Sequence, residues 1–504
     1  MSQLVEHRQP PGRGPLDRLI ARAGARVAGP GLFVSQGEPA SLAELASLLR
    51  PDQPEAPRLL DLWAWDEGGR RGVELLIGQG PDLLWHSAGL GRDVRYPGAG
   101  HLLLAAHWLE RELAGVTPVR PLTRPEPAPL DVRADGLERP LRDTQGVGVF
   151  TIPFGPVRSG VVESLLYDVA TAGEDMVHVA VRPGAKRRAL EARLCQLPPE
   201  LAPLVAERIA GVFSVAGALA VCQAIEAAAG VDVAPEAAAV RAVLAELERV
   251  FNHCDVILRL CDDASLSVGV AQMGILKERI LRLLAALTGH RYGRGMVVLG
   301  GVRGGLDPAT LRRELDAFER DGRRVRRLLL STSSFLDRLE RTGRLSVDDA
   351  AALGASGPVA RGSGLPWDAR CERAYGAYRR LQLLPAVMSD CDAMARFEVR
   401  LAEIRDSLRL IRELDVACNL ASPPPPLPVA LEAGAAGVGT VEAPEGEWVV
   451  SVLAGPNGRL RRCRVRPASV LNFACFPVAC RGWVLTDFAF IEHSFGLSVA
   501  GRDR

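Results

Sequence analysis

The chain has 504 residues, room for two to four domains at roughly 150 residues each, and its 61 basic and 60 acidic residues leave a formal net charge of +1. That balance provides no global field to collect nucleic acid or anionic lipid, and the two lysines, Lys186 and Lys277, both lie outside the Gly-Lys-Ser/Thr setting that a phosphate-cradling P-loop needs. Hydrophobic content is 48% with only 5% aromatic, so Ala and Leu carry the core and a mainly helical chain is expected.

In chain order, the polar and charged opening MSQLVEHRQPPGRG stands where an export signal would carry its apolar run. Ser41 with Glu44 reads as a capping box opening a short helix. Leu60, Leu62 and Ala64 alternate, as do Val73, Leu75 and Ile77, which predicts a hairpin turning at Asp66 to Gly69. His101 to Gly115 reads as an amphipathic helix stopped by glycine. The proline-rich stretch 121–146 cannot continue a helix and is read as a linker between a first domain, 1–120, and a second, 147–504.

From 147 onward a succession of helices is expected. Val243, Leu247, Val250, Cys254 and Ile257 share one face, as do Leu276, Ile280, Leu283 and Leu287 before Gly289, and Phe397, Leu401, Ile404, Leu408 and Ile411 repeat the pattern. Three such stripes specify a bundle core. The most apolar segment runs only from Val212 to Cys222, well short of the roughly 20 residues that span a bilayer. Asn457-Gly458 marks a second hairpin, followed by an irregular tail ending HSFGLSVAGRDR that is too apolar to stay in solvent. The fold class read from this is α+β, a small α/β domain followed by a large helical one with a C-terminal hairpin.

Chemistry is sparse on spacing alone. The ten cysteines, at 195, 222, 254, 261, 371, 391, 418, 463, 475 and 480, include no pair three apart, so no CxxC turn is available for zinc or an iron–sulfur cluster. The glycine-rich stretch 289–305 lacks the strand–GxGxxG–helix order of a dinucleotide site. His253 and Cys254 point about 100° apart on a helix, which argues against a shared metal. Asp262, Asp263, Asp390 and Asp392 read as loop or cap residues.

A resemblance adds what spacing does not. Residues 206–233, AERIAGVFSVAGALAVCQAIEAAAGVDV, resemble the first metal-binding motif region of the large subunit of energy-converting nickel–iron hydrogenases, and of its relative, the quinone-site subunit of respiratory complex I. The pattern ERxCGxCGFxHS is matched at Glu207, Arg208 and Gly211, with Glu226, Gly230 and Val233 beyond. AELERVFNHCDVI (Glu246, Glu248, Arg249, His253) is similar to the family's LLELERLxSHLLNL helix. Residues 276–303, 390–411 and 441–447 are similar to its LTGxR...GGVR, GDxxARxxVRxxEIxxSxxLI and VEAPRGE segments. Residues 105–127, with Trp108, Glu110, Arg111 and Glu112, resemble the end of the complex I small peripheral-arm subunit, which makes the linker a fusion junction.

The resemblance implies a subunit of a membrane-associated oxidoreductase complex, NADH dehydrogenase-like and hydrogenase-related, peripheral on the cytoplasmic side of the inner membrane. Its expected partners are a small iron–sulfur subunit and antiporter-like membrane subunits, with membrane contact through those partners and no nucleic acid. It also locates the family's reaction centre. The four nickel-binding cysteines fall on Ala210, Phe213, Ser498 and Gly501, none of which supplies the soft ligands nickel needs here, so no metal and no hydrogen turnover are expected in this chain. The quinone-contacting histidines fall on Arg158 and Val162 and the tyrosine on Gly211. Arg158, a planar cationic donor, is therefore the candidate for an anion or a substitute headgroup contact. Arg208, Glu492, His493 and Asp503 are candidates for proton or conformational coupling, each with buried ion pairing or tail anchoring as its plain alternative. Two other functions are weighed: a non-catalytic scaffold, and a quinone-reactive subunit using substitute residues.

Overall fold

A computed structural model describes residues 15–51, 53, 55–91, 94–122, 148–158 and 163–504. The expected linker beyond residue 122 and the Val162 position lie outside the described residues. The chain is a mixed helix-and-sheet, α+β protein that divides into two compact units, 1–129 and 130–504.

In the first unit, α1 (Pro15–Arg22), β1 (Arg26–Gly29), β2 (Leu32–Gly37) and α2 (Pro39–Ser47) precede the long strands β3 (Arg58–Glu67), β4 (Arg70–Gln79) and β5 (Asp82–Leu90). The sheet order is β1-β2-β5-β4-β3, with β2 parallel to β5 and the other pairs antiparallel. The expected hairpin forms: Glu67 pairs with Arg70 across Gly68 and Gly69, both at positive φ as a tight two-residue turn demands. The capping box does not. Pro39 opens α2 two residues early, leaving Ser41 inside the helix, where its hydroxyl donates to the Glu38 carbonyl and meets His86 Nε2 at 2.6 Å. The third helix, α3 (Leu104–Val116), runs through Gly115 rather than stopping there; Thr117 turns extended and Pro118 prevents continuation. Two short strands, β6 (Arg95–Tyr96) and β7 (Arg120–Pro121), pair in parallel.

Among the described residues, the second unit does not open with helices. A three-stranded antiparallel sheet comes first, β8 (Val149–Phe154), β9 (Leu166–Ala172) and β10 (Asp175–Arg182), with β9 central. β8 carries Pro153, and β9 is buried on both faces from Leu166 through Thr171, so neither shows a clean alternation in the sequence. Then follow α4 (Ser214–Ala229), α5 (Pro235–Asp263), α6 (Ser267–Thr288, stopped by Gly289 at φ +78°), α7 (Pro308–Leu330) and α8 (Ala393–Ala417). Every residue of α5 from Ala237 through Cys254 is buried, so this helix is the axis of the core rather than one striped wall of it. The Val243, Leu276 and Phe397 stripes all belong to that core.

The strands β11 (Ala436–Ala443), β12 (Gly446–Ala454) and β13 (Leu460–Arg466) form an antiparallel sheet with the expected turn at Asn457-Gly458, both at positive φ. α4 lies on β11 so closely that a Cβ at Gly437 or Gly439 would stand 2.1 or 2.2 Å from a carbonyl oxygen of α4. The tail is buried, as expected, but it is not irregular. It is built of α9 (Ser469–Cys480), α10 (Phe488–Phe495) and α11 (Val499–Arg502). Among the described residues, no helix is long and apolar enough to cross a membrane.

Candidate functional site

A cavity of about 140 Å³ opens within the second unit where several segments converge. α5 contributes Asn252, Asp255, Val256 and Arg259; the residues before α4 contribute Val212 and Phe213; the β11–β12 turn contributes Glu445; and α10 with the tail contributes Glu492, His493 and Ser498. Arg158 and Glu163 reach it from the segment after β8. That segment can pass close because Gly155 stands at φ +114°, where a Cβ would lie 2.1 Å from the Leu165 carbonyl oxygen.

The cavity's most organised feature is an ion pair. Arg158 donates from both terminal nitrogens to the two oxygens of Glu492, 2.8 Å each, and Tyr167 donates its hydroxyl to the same carboxylate at 2.7 Å. The guanidinium also stacks 5.1 Å from the rings of Phe154 and Tyr167. The anion that Arg158 was expected to seek is therefore the chain's own Glu492. Beside it, His493 holds Asp263 through Nδ1 at 2.6 Å; a carboxylate acceptor there fixes the proton on Nδ1 and leaves Nε2 as the second ring nitrogen. Glu163 accepts the amides of Val499 and Ala500, at 2.6 and 3.0 Å, and so ties the start of α11.

Of the remaining candidates, Arg208 is exposed and turns to Glu207 and the Leu204 carbonyl, away from the cavity. Asp503 is fully buried but anchors the tail by accepting the amides of Gly184 and Lys186 at 2.8 to 2.9 Å. Of the four positions matched to nickel cysteines, Phe213 and Ser498 line the cavity, while Ala210 and Gly501 are buried behind its wall. A methyl, a phenyl, a hydroxyl and a glycine hydrogen do not fit a nickel centre, and among the described residues no three His, Cys, Asp or Glu side chains converge on a common point.

A charged network that meets the cavity at Arg400 joins three of the matched segments. Arg400 gives Nη1 to His253 Nδ1 (3.3 Å), and His253 gives Nε2 to Glu403 (2.8 Å). Glu403 also takes two hydrogen bonds from Arg361, at 2.7 and 2.9 Å, and Arg361 reaches on to Glu442. Arg249 donates to the Glu442 and Ala443 carbonyls, and Glu246 collects Arg370, Ser407 and Tyr378. Burial depresses His253 to about 4, so it bridges as the neutral ring; burial likewise lowers Arg400 to about 10. Glu248, pushed up to about 8 by burial, accepts the first-turn amides of α4 from Val215 and Ala216.

Several of these residues were missed by sequence reasoning. Asp263 read as a loop carboxylate, and Tyr167 and Glu163 carry no motif. Glu445 did have a signal: the matched turn differs from its VEAPRGE pattern at that residue, where the pattern has arginine.

The comparisons agree with the resemblance. Residues 268–420 match the family model described as the respiratory-chain NADH dehydrogenase, 49 Kd subunit. A carbon monoxide-induced hydrogenase of Rhodospirillum rubrum is 27% identical over 71% of this chain and its own full length. The membrane-bound hydrogenase subunit alpha of Pyrococcus furiosus is 28% identical over 70% of this chain and 87% of its own. An NADH-quinone oxidoreductase subunit of Opitutus terrae is 30% identical over 56% of this chain and 71% of its own. With its helices, its hairpin and its internal charge network all built on the matched segments, the chain belongs to the family of the NADH dehydrogenase 49 Kd subunit and its hydrogenase relatives.

Proposed function

We propose that the chain is a peripheral-arm subunit of a membrane-associated, complex I-like or hydrogenase-related oxidoreductase complex, with a degenerate, metal-free nickel site. In this reading the chain lies between a small iron–sulfur subunit and antiporter-like membrane subunits, on the cytoplasmic side, and couples electron transfer in the first to ion translocation by the second. The observation that supports it is a cavity lined by Phe213 and Ser498, two of the four positions that the resemblance matches to nickel cysteines, with an Arg158–Glu492 pair and a His493–Asp263 pair beside them.

What this chain's residues do follows from those contacts. Arg158, with its fork occupied, neutralises Glu492 rather than orienting a substrate. His493 lines the cavity with its Nδ1 held by Asp263. The network from Arg400 through His253 to Glu403 holds α5, α8 and the β11–β12 turn in fixed register, so a charge change at the cavity wall acts on a rigid body.

Affinity purification of the tagged chain from detergent-extracted membranes tests the reading. An iron–sulfur subunit and antiporter-like proteins recovered in fixed proportion are the expected result. Recovery of the chain alone, from the soluble fraction, contradicts it.

A further inference from the structure

Glu445 stands in the turn between β11 and β12 and forms part of the cavity wall while only 2% exposed. Its partners are neutral: the Trp448 indole donates to Oε1 at 2.7 Å, and the Ser469 hydroxyl donates to Oε2. The other carboxylates of the wall each have a cation. Glu492 has Arg158, Asp255 has Arg259 and Lys277, and Glu163 has Lys186 at 4.0 Å. Arg400 senses the charge of Glu445 but gives its hydrogen bonds to His253 and to the carbonyls of Ser494 and Phe495. The remaining titratable group facing the cavity, His493, is turned to Asp263. A carboxylate in such a place is desolvated with hydrogen bonds but no ion-pair partner to offset the loss, which favours its neutral form.

We propose that Glu445 is a proton-binding site of the cavity whose occupancy controls how firmly the C-terminal tail is held. The link is Ser469. The hydroxyl that donates to Glu445 also accepts the Ser498 amide at 2.8 Å, and Ser498 in turn caps α11 by accepting the Gly501 amide at 3.0 Å. Burial pushes the Glu445 carboxyl up to about 7, with the nearby Glu163 charge a lesser contribution. Deprotonation passes one proton to water and leaves a carboxylate that is only 2% exposed. Hydrating it requires the Ser469–Ser498 contact to yield. Opening of the tail therefore increases as pH rises through about 7. The inference stands on the cavity geometry of this chain and not on the assembly proposed above.

The test is hydrogen–deuterium exchange of residues 496–504 in the full chain, wild type against Glu445→Gln, at matched pH on either side of neutrality. The amide variant keeps the neutral shape: its carbonyl oxygen accepts from Trp448, and its NH2 group donates to the Ser469 hydroxyl as a protonated carboxyl would. Between one pH unit below and one above that value, linkage gives up to about tenfold more tail opening in the wild type and no change in Glu445→Gln. Infrared titration should show a protonated-carboxyl band that titrates near neutral pH in the wild type and is missing from Glu445→Gln, beside the band of Glu248 that both proteins share. Ser469→Ala should keep that band and lose the tail response. Equal tail exchange in wild type and Glu445→Gln at every pH overturns the link, and an unchanged band overturns the proton site.

Discussion

Replacing Arg158 by alanine is the sharpest perturbation of the cavity. The side chains of Arg158 and Glu492 are 4% and 11% exposed, so the loss strands a carboxylate with only the Tyr167 hydroxyl for company. Breaking a buried pair from one side costs about 3 to 5 kcal/mol, and the lost stacking on Phe154 and Tyr167 adds about 1 kcal/mol. Removing the charge on both sides, as Arg158→Met with Glu492→Leu, takes away the desolvation penalty as well and should return stability close to wild type. Urea unfolding of the wild type, Arg158→Met, Glu492→Leu and the double variant closes a thermodynamic cycle. The expected coupling is at least about 2 kcal/mol. A coupling below about 0.5 kcal/mol, the range of exposed ion pairs, would refute the view that this pair is buried and bidentate in solution.

Three further outcomes follow. Glu445 is raised from 4.5 to about 7 on folding, so its contribution to stability is fully present below the unfolded value and is lost as pH rises through about 7; Glu445→Gln should flatten that slope and be more stable than wild type above neutrality by up to about 3 kcal/mol, read from denaturation midpoints across pH. Gly439→Ala places a methyl 2.2 Å from the Ala220 carbonyl oxygen, so α4 must move off β11; a loss of about 3 kcal/mol or more in thermal or urea unfolding is expected. Glu403→Ala leaves Arg361, Arg249 and His253 facing one another without their shared acceptor; a loss of at least about 3 kcal/mol, or failure to fold, should appear in the same assay.

What the sequence made legible, and what it did not, divides along physical lines. Helices such as α6, with its stripe of Leu276, Ile280 and Leu283 and its Gly289 stop, declare themselves because period and cap agree. Both hairpins declare themselves through turn residues that need positive φ. The β8–β10 sheet was not legible, because its role depends on Tyr167 meeting Phe476, Phe488 and Glu492, all more than three hundred positions away. The site was half legible. The resemblance picked out Arg158, Glu492, His493, Phe213 and Ser498, and the fold gathers those five around one cavity. It also picked out Arg208 and Asp503, whose side chains the fold directs elsewhere. No local pattern pairs Arg158 with Glu492 or Asp263 with His493, since such partners are chosen by tertiary packing alone.

Metal analysis of the purified complex, with iron as an internal reference for the iron–sulfur partner, addresses the central claim most directly. The account predicts iron without stoichiometric nickel, because Ala210, Phe213, Ser498 and Gly501 offer no thiolate. One nickel for each copy of this chain would contradict it.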